Sequence, residues 1–205
     1  MTRSLQLGDI SRSHRQFPSS TCSRKPAGLR LLNPNAINIR AERPDDIEAI
    51  RALNFAAFGR PQEGGLVDAL RANGGLSLSL VATIDERLVG QILYSPVSIS
   101  CNGKEVVGAG LGPMAVVPEL QRKGIGAELI RAGNERLKRL GCPFIVVLGH
   151  PQYYPRFGFR PARTHAIRCQ WNVPDGVFMI LSLEESGMKG VAGLAKYREE
   201  FSAAL

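Results

Sequence analysis

The residues best suited to chemistry in this 205-residue chain form the run Gln121-Arg122-Lys123-Gly124-Ile125-Gly126. The run joins an apolar stretch, residues 109–117, to an amphipathic pattern that predicts a helix ending near Leu140. Glycine lets a ligand approach the main chain closely, and the first turn of a helix presents unpaired N–H groups at the positive end of its dipole. The pattern therefore predicts a site for a phosphate-bearing cofactor, with added positive charge from the Arg-Lys pair.

Two common phosphate loops do not match this run. The chain has no G-x-x-x-x-G-K-S/T string, which a Walker-type P-loop requires. A dinucleotide fingerprint requires a third glycine and an acidic residue about twenty positions later, but Leu129 holds the glycine position and residues 146–148 are apolar. The remaining pattern is Q-x-x-G-x-G, preceded by the segment Met114-Ala115-Val116-Val117-Pro118.

This composite resembles the cofactor motif of the GNAT family of N-acetyltransferases, which hold the pyrophosphate of acetyl-CoA in this turn. The resemblance covers roughly residues 37–205, and it implies that acetyl-CoA is the co-substrate. In the family, the strand before the turn splays from its neighbour, and one of its main-chain N–H groups polarises the thioester carbonyl. The cofactor contacts that the resemblance implies are Met114, Ala115, Val116, Gln121, Arg122, Lys123, Gly124, Ile125, Gly126 and Ala127.

A second motif, Tyr153-Tyr154-Pro155-Arg156-Phe157-Gly158-Phe159, follows a predicted short strand at residues 143–148. It resembles a run in the YhbS-like predicted acetyltransferases. In the wider family, the tyrosine four residues before the glycine of a Gly-Phe pair protonates the departing thiolate, and here that residue is Tyr154. Packing in an aromatic core is the alternative for Tyr154, and Tyr153 is its neighbouring competitor. Many members carry an asparagine seven residues before this tyrosine, where it contacts the pantetheine arm, whereas this chain has Val147.

The sequence leaves three candidates for the base that takes the proton of the amine: two side chains and a chain of water molecules. An alkylammonium has a pKa of about 10, so a base is required. Glu63 belongs to the second predicted helix, which in this family lines the acceptor side. His150 directly follows the strand at residues 143–148, and histidine is a residue type that commonly serves as a general base. Cysteine nucleophilic catalysis is not favoured, because Cys142 follows a helix end, where a thiolate is destabilised.

The composition restricts the class of protein. The four cysteines are scattered and form no C-x-x-C pair, so the sequence predicts neither a metal site nor a redox motif. No apolar run reaches the ~20 residues of a membrane helix. We therefore expect reduced thiols, a cytoplasmic location and no membrane partner.

The first 36 residues differ from the rest of the chain. They hold six Arg or Lys residues and one acid, so they carry +5 of the formal net charge of +8. Their richness in Ser, Arg and Pro is typical of a disordered tail, and an organellar transit peptide or translation from an upstream start codon are the alternatives. One aromatic residue and the lack of a clustered basic run do not favour nucleic-acid binding.

The predicted elements follow the order β-α-α-β-β-β-α-β-α-β-β. This order predicts one mixed α/β (α+β) GNAT-like domain, residues 37–205, with a mostly antiparallel central sheet flanked by helices. We expect a strand at residues 191–194 to lie at an edge, where it could pair two copies into a homodimer. The predicted reaction moves an acetyl group from acetyl-CoA to a primary amine of a small molecule or protein. A non-catalytic acyl-CoA sensor on the same fold and nucleic-acid binding by the tail are the alternatives.

Overall fold

The computed structural model describes residues 37–204 apart from 102 and 175, and the predicted basic extension lies outside the described residues. The helices are α1 (Ile47–Phe58), α2 (Gln62–Ala72), α3 (Ile125–Arg139), α4 (Glu185–Met188) and α5 (Glu200–Ala204). The strands are β1 (Asn38–Ala41), β2 (Leu78–Ile84), β3 (Arg87–Cys101), β4 (Lys104–Val116), β5 (Phe144–Leu148), β6 (Arg160–Pro161), β7 (Ile167–Cys169), β8 (Phe178–Ser182) and β9 (Gly193–Tyr197).

The strands form one sheet across the described part of the chain. Its order is β1-β2-β3-β4-β5-β8-β6, with β9 paired to β3 and β7 paired to β9. Neighbouring strands run antiparallel except for the parallel pairs β4–β5 and β7–β9. The predicted mixed fold with a mostly antiparallel sheet is therefore confirmed.

Helices cover both faces of this sheet. On one face, Ile125 and Leu129 of α3 pack in a buried cluster with Tyr94 of β3. On the other face, Ile50 of α1 and Val67 of α2 pack with Leu93 of β3. Because successive side chains of a strand point to opposite faces, Leu93 and Tyr94 separate the two cores. We call these two sides the α3 face and the α1–α2 face.

The segment after β5 differs from the predicted element order, which places a helix there. It forms short 3-10 turns at Tyr154–Phe157 and Ala162–His165, with β6 between them. Pro155 and Pro161 remove main-chain donors that an α-helix would use. Gly158, with φ 89°, then turns the chain away from the helical path. The motif around Tyr154 is therefore carried on a compact turn.

The expectation of an edge strand near the C-terminus is wrong. The strand is β9, and it pairs with β3 on one side and with β7 on the other. The reason lies in β3, because β2 pairs with it only as far as Tyr94. The remaining edge of β3 would be open, and β9 fills it along residues 97–100. The strand proposed for pairing two copies is thus already paired within one copy.

The described residues also bear on the predictions about membrane helices, metal ligands and the cysteine thiols. Across residues 37–204, with 102 and 175 omitted, no helix has the length and hydropathy to cross a membrane. Over the same range, no three His, Cys, Asp or Glu side chains group as metal ligands. Cys142 is a free thiol, and burial raises its pKa, which disfavours the thiolate.

Candidate active site

The two central strands β4 and β5 separate where their shared ladder ends. Parallel pairing runs from Ala109 with Ile145 to Leu111 with Val147, although β4 continues to Val116. At the same level the register between β3 and β4 shifts. Among the described strands, none pairs with the β5 side of β4 beyond this point. We call this opening the β4–β5 split; it is bounded by residues 111–116 of β4 and 147–148 of β5.

The chain leaves β4 through the predicted phosphate turn. The Gln121 side chain donates from Nε2 to the Val116 carbonyl over 3.1 Å, which ties the turn to the strand end. Arg122 and Gly124 have φ values of 61° and 93°, in the left-handed region that glycine adopts readily. The Glu128 N–H donates to the Gly124 carbonyl as the first helical bond. The N–H groups of residues 124–127 therefore have no acceptor within α3.

Tyr153 lies against this first helical turn. A Cβ built at Gly126 would lie 3.1 Å from the Tyr153 hydroxyl and 3.4 Å from the Met114 methyl carbon. The Arg156 guanidinium stacks 4.5 Å from the centre of the Tyr153 ring, and burial raises the pKa of this half-buried hydroxyl. The turn, the end of β4 and the second motif are thus in contact, as one site requires.

Tyr154 is buried at the β4–β5 split. It is 8% exposed, and its ring lies so close to Gly149 that no Cβ would fit there. Its ring meets those of Tyr153 and Phe159 with centroids 5.2 and 5.6 Å apart. Burial raises the pKa of Tyr154 well above its ordinary value of 10, with Tyr153 adding to the effect. The phenol therefore keeps its proton through the neutral range.

Two further tyrosines approach Tyr154. Burial raises the pKa of both Tyr94 and Tyr197, and the nearby Tyr154 contributes to each shift. Tyr94 faces Leu111, the last residue of β4 that pairs with β5. The Tyr94 hydroxyl itself lies against α3, where it donates to Asn134 Oδ1 over 3.4 Å.

Glu63 lies at the start of α2 with its side chain turned inward. Its side chain is 13% exposed, and it lies one and two helical turns before Val67 and Leu70, which face the α1–α2 side of the sheet. Arg60 donates from Nε to one carboxylate oxygen over 2.9 Å. The other oxygen is buried without a hydrogen-bond partner. A carboxylate with one free oxygen can accept a proton or an ammonium N–H.

His150 and Val147, the two other residues considered near the second motif, lie in different environments. The His150 side chain is exposed, and its carbonyl accepts the Tyr153 N–H at 3.0 Å to begin the turn. Val147 is buried in the core on the α3 face. Its apolar side chain offers no hydrogen bond of the kind that an asparagine at this position would make.

A groove between α3 and the Tyr154–Phe157 turn was missed in the sequence. It encloses about 350 Å³, and it is lined by Arg131, Asn134, Glu135, Lys138, Arg156, Phe157 and Leu183. The guanidinium groups of Arg131 and Arg156 lie 5.7 and 5.5 Å from the centre of the Phe157 ring. The spacing of residues 131, 134 and 138 indicates one helix face, but the sequence alone makes that face look solvent-exposed.

Comparison with known proteins decides the family. Residues 38–162 match the family described as "Acetyltransferase (GNAT) domain". The chain belongs to the GNAT acetyltransferase family. The predicted family and enzyme class are therefore confirmed, and the cradle-like turn and the split described above belong to a GNAT domain.

Individual relatives agree with this assignment. The chain is 36% identical over 165 residues to a protein of Escherichia coli (strain K12) named "Uncharacterized N-acetyltransferase YhbS", a match that covers 80% of this chain and 98% of the relative. A crystal structure of E. coli YhbS in complex with CoA has a TM-score of 0.76 and 34% identity, and the match covers 88% of this chain and 96% of that one. A GNAT family acetyltransferase from Brucella melitensis in complex with acetyl-CoA has a TM-score of 0.67 and 37% identity over 80% of this chain and 97% of that one.

Proposed function

We propose that this protein transfers the acetyl group of acetyl-CoA to a primary amine of a small molecule or protein by direct attack in a ternary complex. The observation that carries the proposal is the β4–β5 split, because the strand on one side continues to the N–H groups of residues 124–127 and the strand on the other side continues to the buried Tyr154. The relatives solved with CoA and acetyl-CoA, both more than 30% identical, support the choice of co-substrate.

The residues present fit acetyl-CoA, which would supply the activated thioester. The main-chain donors at residues 124–127, with Arg122 and Lys123 beside them, suit a pyrophosphate at a helix N-terminus. The basic groove beside α3 suits the adenosine and its phosphate, because Arg131 and Lys138 lie there with an aromatic ring. Gly126 leaves room that a side chain would fill.

The protein groups at the split would act in three ways. A main-chain N–H within Met114–Val116 would polarise the thioester carbonyl, since the β5 side of β4 is unpaired there. Tyr154 would give its proton to the departing thiolate, as a general acid. Glu63 would take the proton of the ammonium, because its second oxygen is free and buried. His150 is a weaker candidate because its side chain is exposed, and a chain of water molecules is the other route.

The acceptor class and the cellular location are expectations from the sequence. A cytoplasmic location with reduced thiols remains our expectation. A homodimer through β9 is not part of the proposal, because that strand is paired on both sides. The alternative function, a non-catalytic acyl-CoA sensor, would use the same turn and groove but release no thiol with any amine.

A thermal-shift titration with acetyl-CoA tests the cofactor assignment. At a hundredfold excess over Kd the ligand should stabilise the wild type by about 2.7 kcal/mol. Gly124→Glu should abolish the shift, because bulk and negative charge enter the phosphate turn. Gly141→Glu is the matched control, since Gly141 also has positive φ and open space around it but lies beyond the far end of α3.

Equal shifts in wild type and Gly124→Glu would refute the phosphate-turn assignment. Release of the CoA thiol with alkylamines, aralkylamines, polyamines and lysine peptides then separates the enzyme from the sensor. Binding without release across all four groups would favour the sensor.

A further inference from the structure

Two buried hydroxyl groups on the α1–α2 face lack hydrogen-bond partners. They are Ser95 Oγ on β3 and the hydroxyl of Tyr197 at the end of β9. Ser95 is fully buried, and a buried hydroxyl without a partner is destabilising by about 1–3 kcal/mol. A buried polar group without a partner requires an explanation, and a ligand that supplies the missing hydrogen bond is one.

The side chains that carry both hydroxyls lie next to Gly110. Ser95 pairs with Gly110 across the β3–β4 ladder, so the two residues share a face. A Cβ built at Gly110 would lie 2.7 Å from a ring carbon of Tyr197. Gly110 in turn pairs with Val146, one step before the β4–β5 split opens. The two free hydroxyls thus lie beside the split, on the face opposite α3.

An aromatic wall continues from this point. The Tyr197 ring centre lies 5.0 Å from that of Trp171 and 5.2 Å from that of Phe201. All three residues are partly exposed, so the wall reaches the solvent at one edge, whereas the Tyr197 hydroxyl at its inner end is buried. Aromatic faces attract cations and apolar bodies. The free carboxylate oxygen of Glu63 is on the same side of the sheet and would repel an anion.

We propose that Tyr197 and Ser95, with the rings of Trp171 and Phe201, form the acceptor subsite, and that it takes a primary ammonium carried on an apolar or aromatic body. The ammonium N–H groups donate to the two hydroxyl oxygens, and the apolar body lies along the ring wall. The inference rests on the proposed function, whose reaction requires an amine next to the split. It adds the chemical class of the acceptor and two residues that the sequence did not indicate.

Trp171 makes the subsite measurable without turnover. It is the chain's single tryptophan, so its fluorescence reports on ligands at the wall. We expect 2-phenylethylamine to change the emission saturably with CoA present. Its neutral and anionic counterparts, 2-phenylethanol and phenylacetate, should bind at least about tenfold more weakly, which is the worth of a hydrogen bond to a charged group.

Variants separate this inference from a general loss of structure. Tyr197→Phe and Ser95→Ala should each weaken 2-phenylethylamine binding about tenfold and leave the thermal shift with acetyl-CoA unchanged. Ser182→Ala is the matched control, because Ser182 Oγ is also buried without a partner but lies at the other end of the β5–β8 ladder.

The possible outcomes are distinct. Unchanged amine affinity in both variants, equal binding of the three probes, or no saturable response in the wild type would overturn the subsite. Loss of the acetyl-CoA shift in the wild type would instead overturn the proposed function.

Discussion

Replacing Tyr154 by phenylalanine removes one hydroxyl and little else. The ring's contacts with Gly149, Tyr153 and Phe159 all involve carbon atoms that phenylalanine retains. Because the aromatic packing survives, we expect the free energy of unfolding to change by no more than about 1.5 kcal/mol. The variant should therefore fold and bind acetyl-CoA with an affinity close to that of the wild type.

The effect on turnover should be much larger than the effect on stability. General-acid catalysis contributes about 10²–10⁴ in rate, which corresponds to about 2.7–5.5 kcal/mol in the transition state. Burial raises the pKa of Tyr154, so the phenol is protonated at every pH used in ordinary assays. The loss in kcat should accordingly be at least about a hundredfold and constant between about pH 6 and pH 9.

The assay follows release of the CoA thiol with the amines of the acceptor screen. Tyr153→Phe is the matched control, because its hydroxyl lies at Gly126 in the phosphate turn and not at the split. We expect that change to act on acetyl-CoA affinity more than on kcat. A Tyr154→Phe enzyme whose kcat stayed within about threefold of the wild type would refute the general-acid assignment and leave Tyr154 a packing residue.

Two further predictions concern the basic groove and the buried phenols. Lys138→Ala should weaken acetyl-CoA binding about threefold to tenfold and leave dephospho-acetyl-CoA binding almost unchanged. Lys189→Ala, which removes an exposed lysine outside the groove, should affect neither. Equal losses for both ligands in Lys138→Ala would contradict a phosphate contact. Burial raises the pKa of three tyrosines above 10, so above that pH the unfolded chain holds fewer protons than the folded one. The free energy of unfolding, unaffected by these groups below about pH 10, should then fall by up to about 4 kcal/mol per pH unit; urea unfolding at pH 9 to 11 that showed no decline would contradict the burial of these phenols.

Local patterns in the sequence predicted the elements that depend on neighbouring residues. The phosphate turn is one, because Gly124 and the helix that follows form from a continuous stretch. Contacts between distant segments were not predictable in this way. Arg131 is an exposed residue of α3, and its approach to within 5.7 Å of the Phe157 ring centre depends on a contact between distant segments. Similarly, β9 fills an open edge of β3 nearly a hundred residues earlier in the chain, and no local pattern indicates that pairing.

The family resemblance predicted more features of the site than residue spacing alone. It indicated that the strand before the turn splays, and β4 indeed loses β5 after Leu111. It also placed Tyr154 at the second motif, where the structure buries it. The resemblance did not indicate Tyr197 as a site residue. Its contact with Gly110 joins residues far apart in sequence and depends on the path of the C-terminal strand.

Glycine in the middle of β4 connects these observations. Glycine weakens a strand, and its presence there usually means that another group must come close. At Gly110 that group is the Tyr197 ring, and a larger residue at position 110 would fit only if the ring moved. The same level of the sheet has Tyr94 on the α3 face and Leu111 as the last residue of β4 that pairs with β5. In the proposed reaction, cofactor and acceptor approach from opposite faces of the sheet and meet next to this level, where β4 separates from β5.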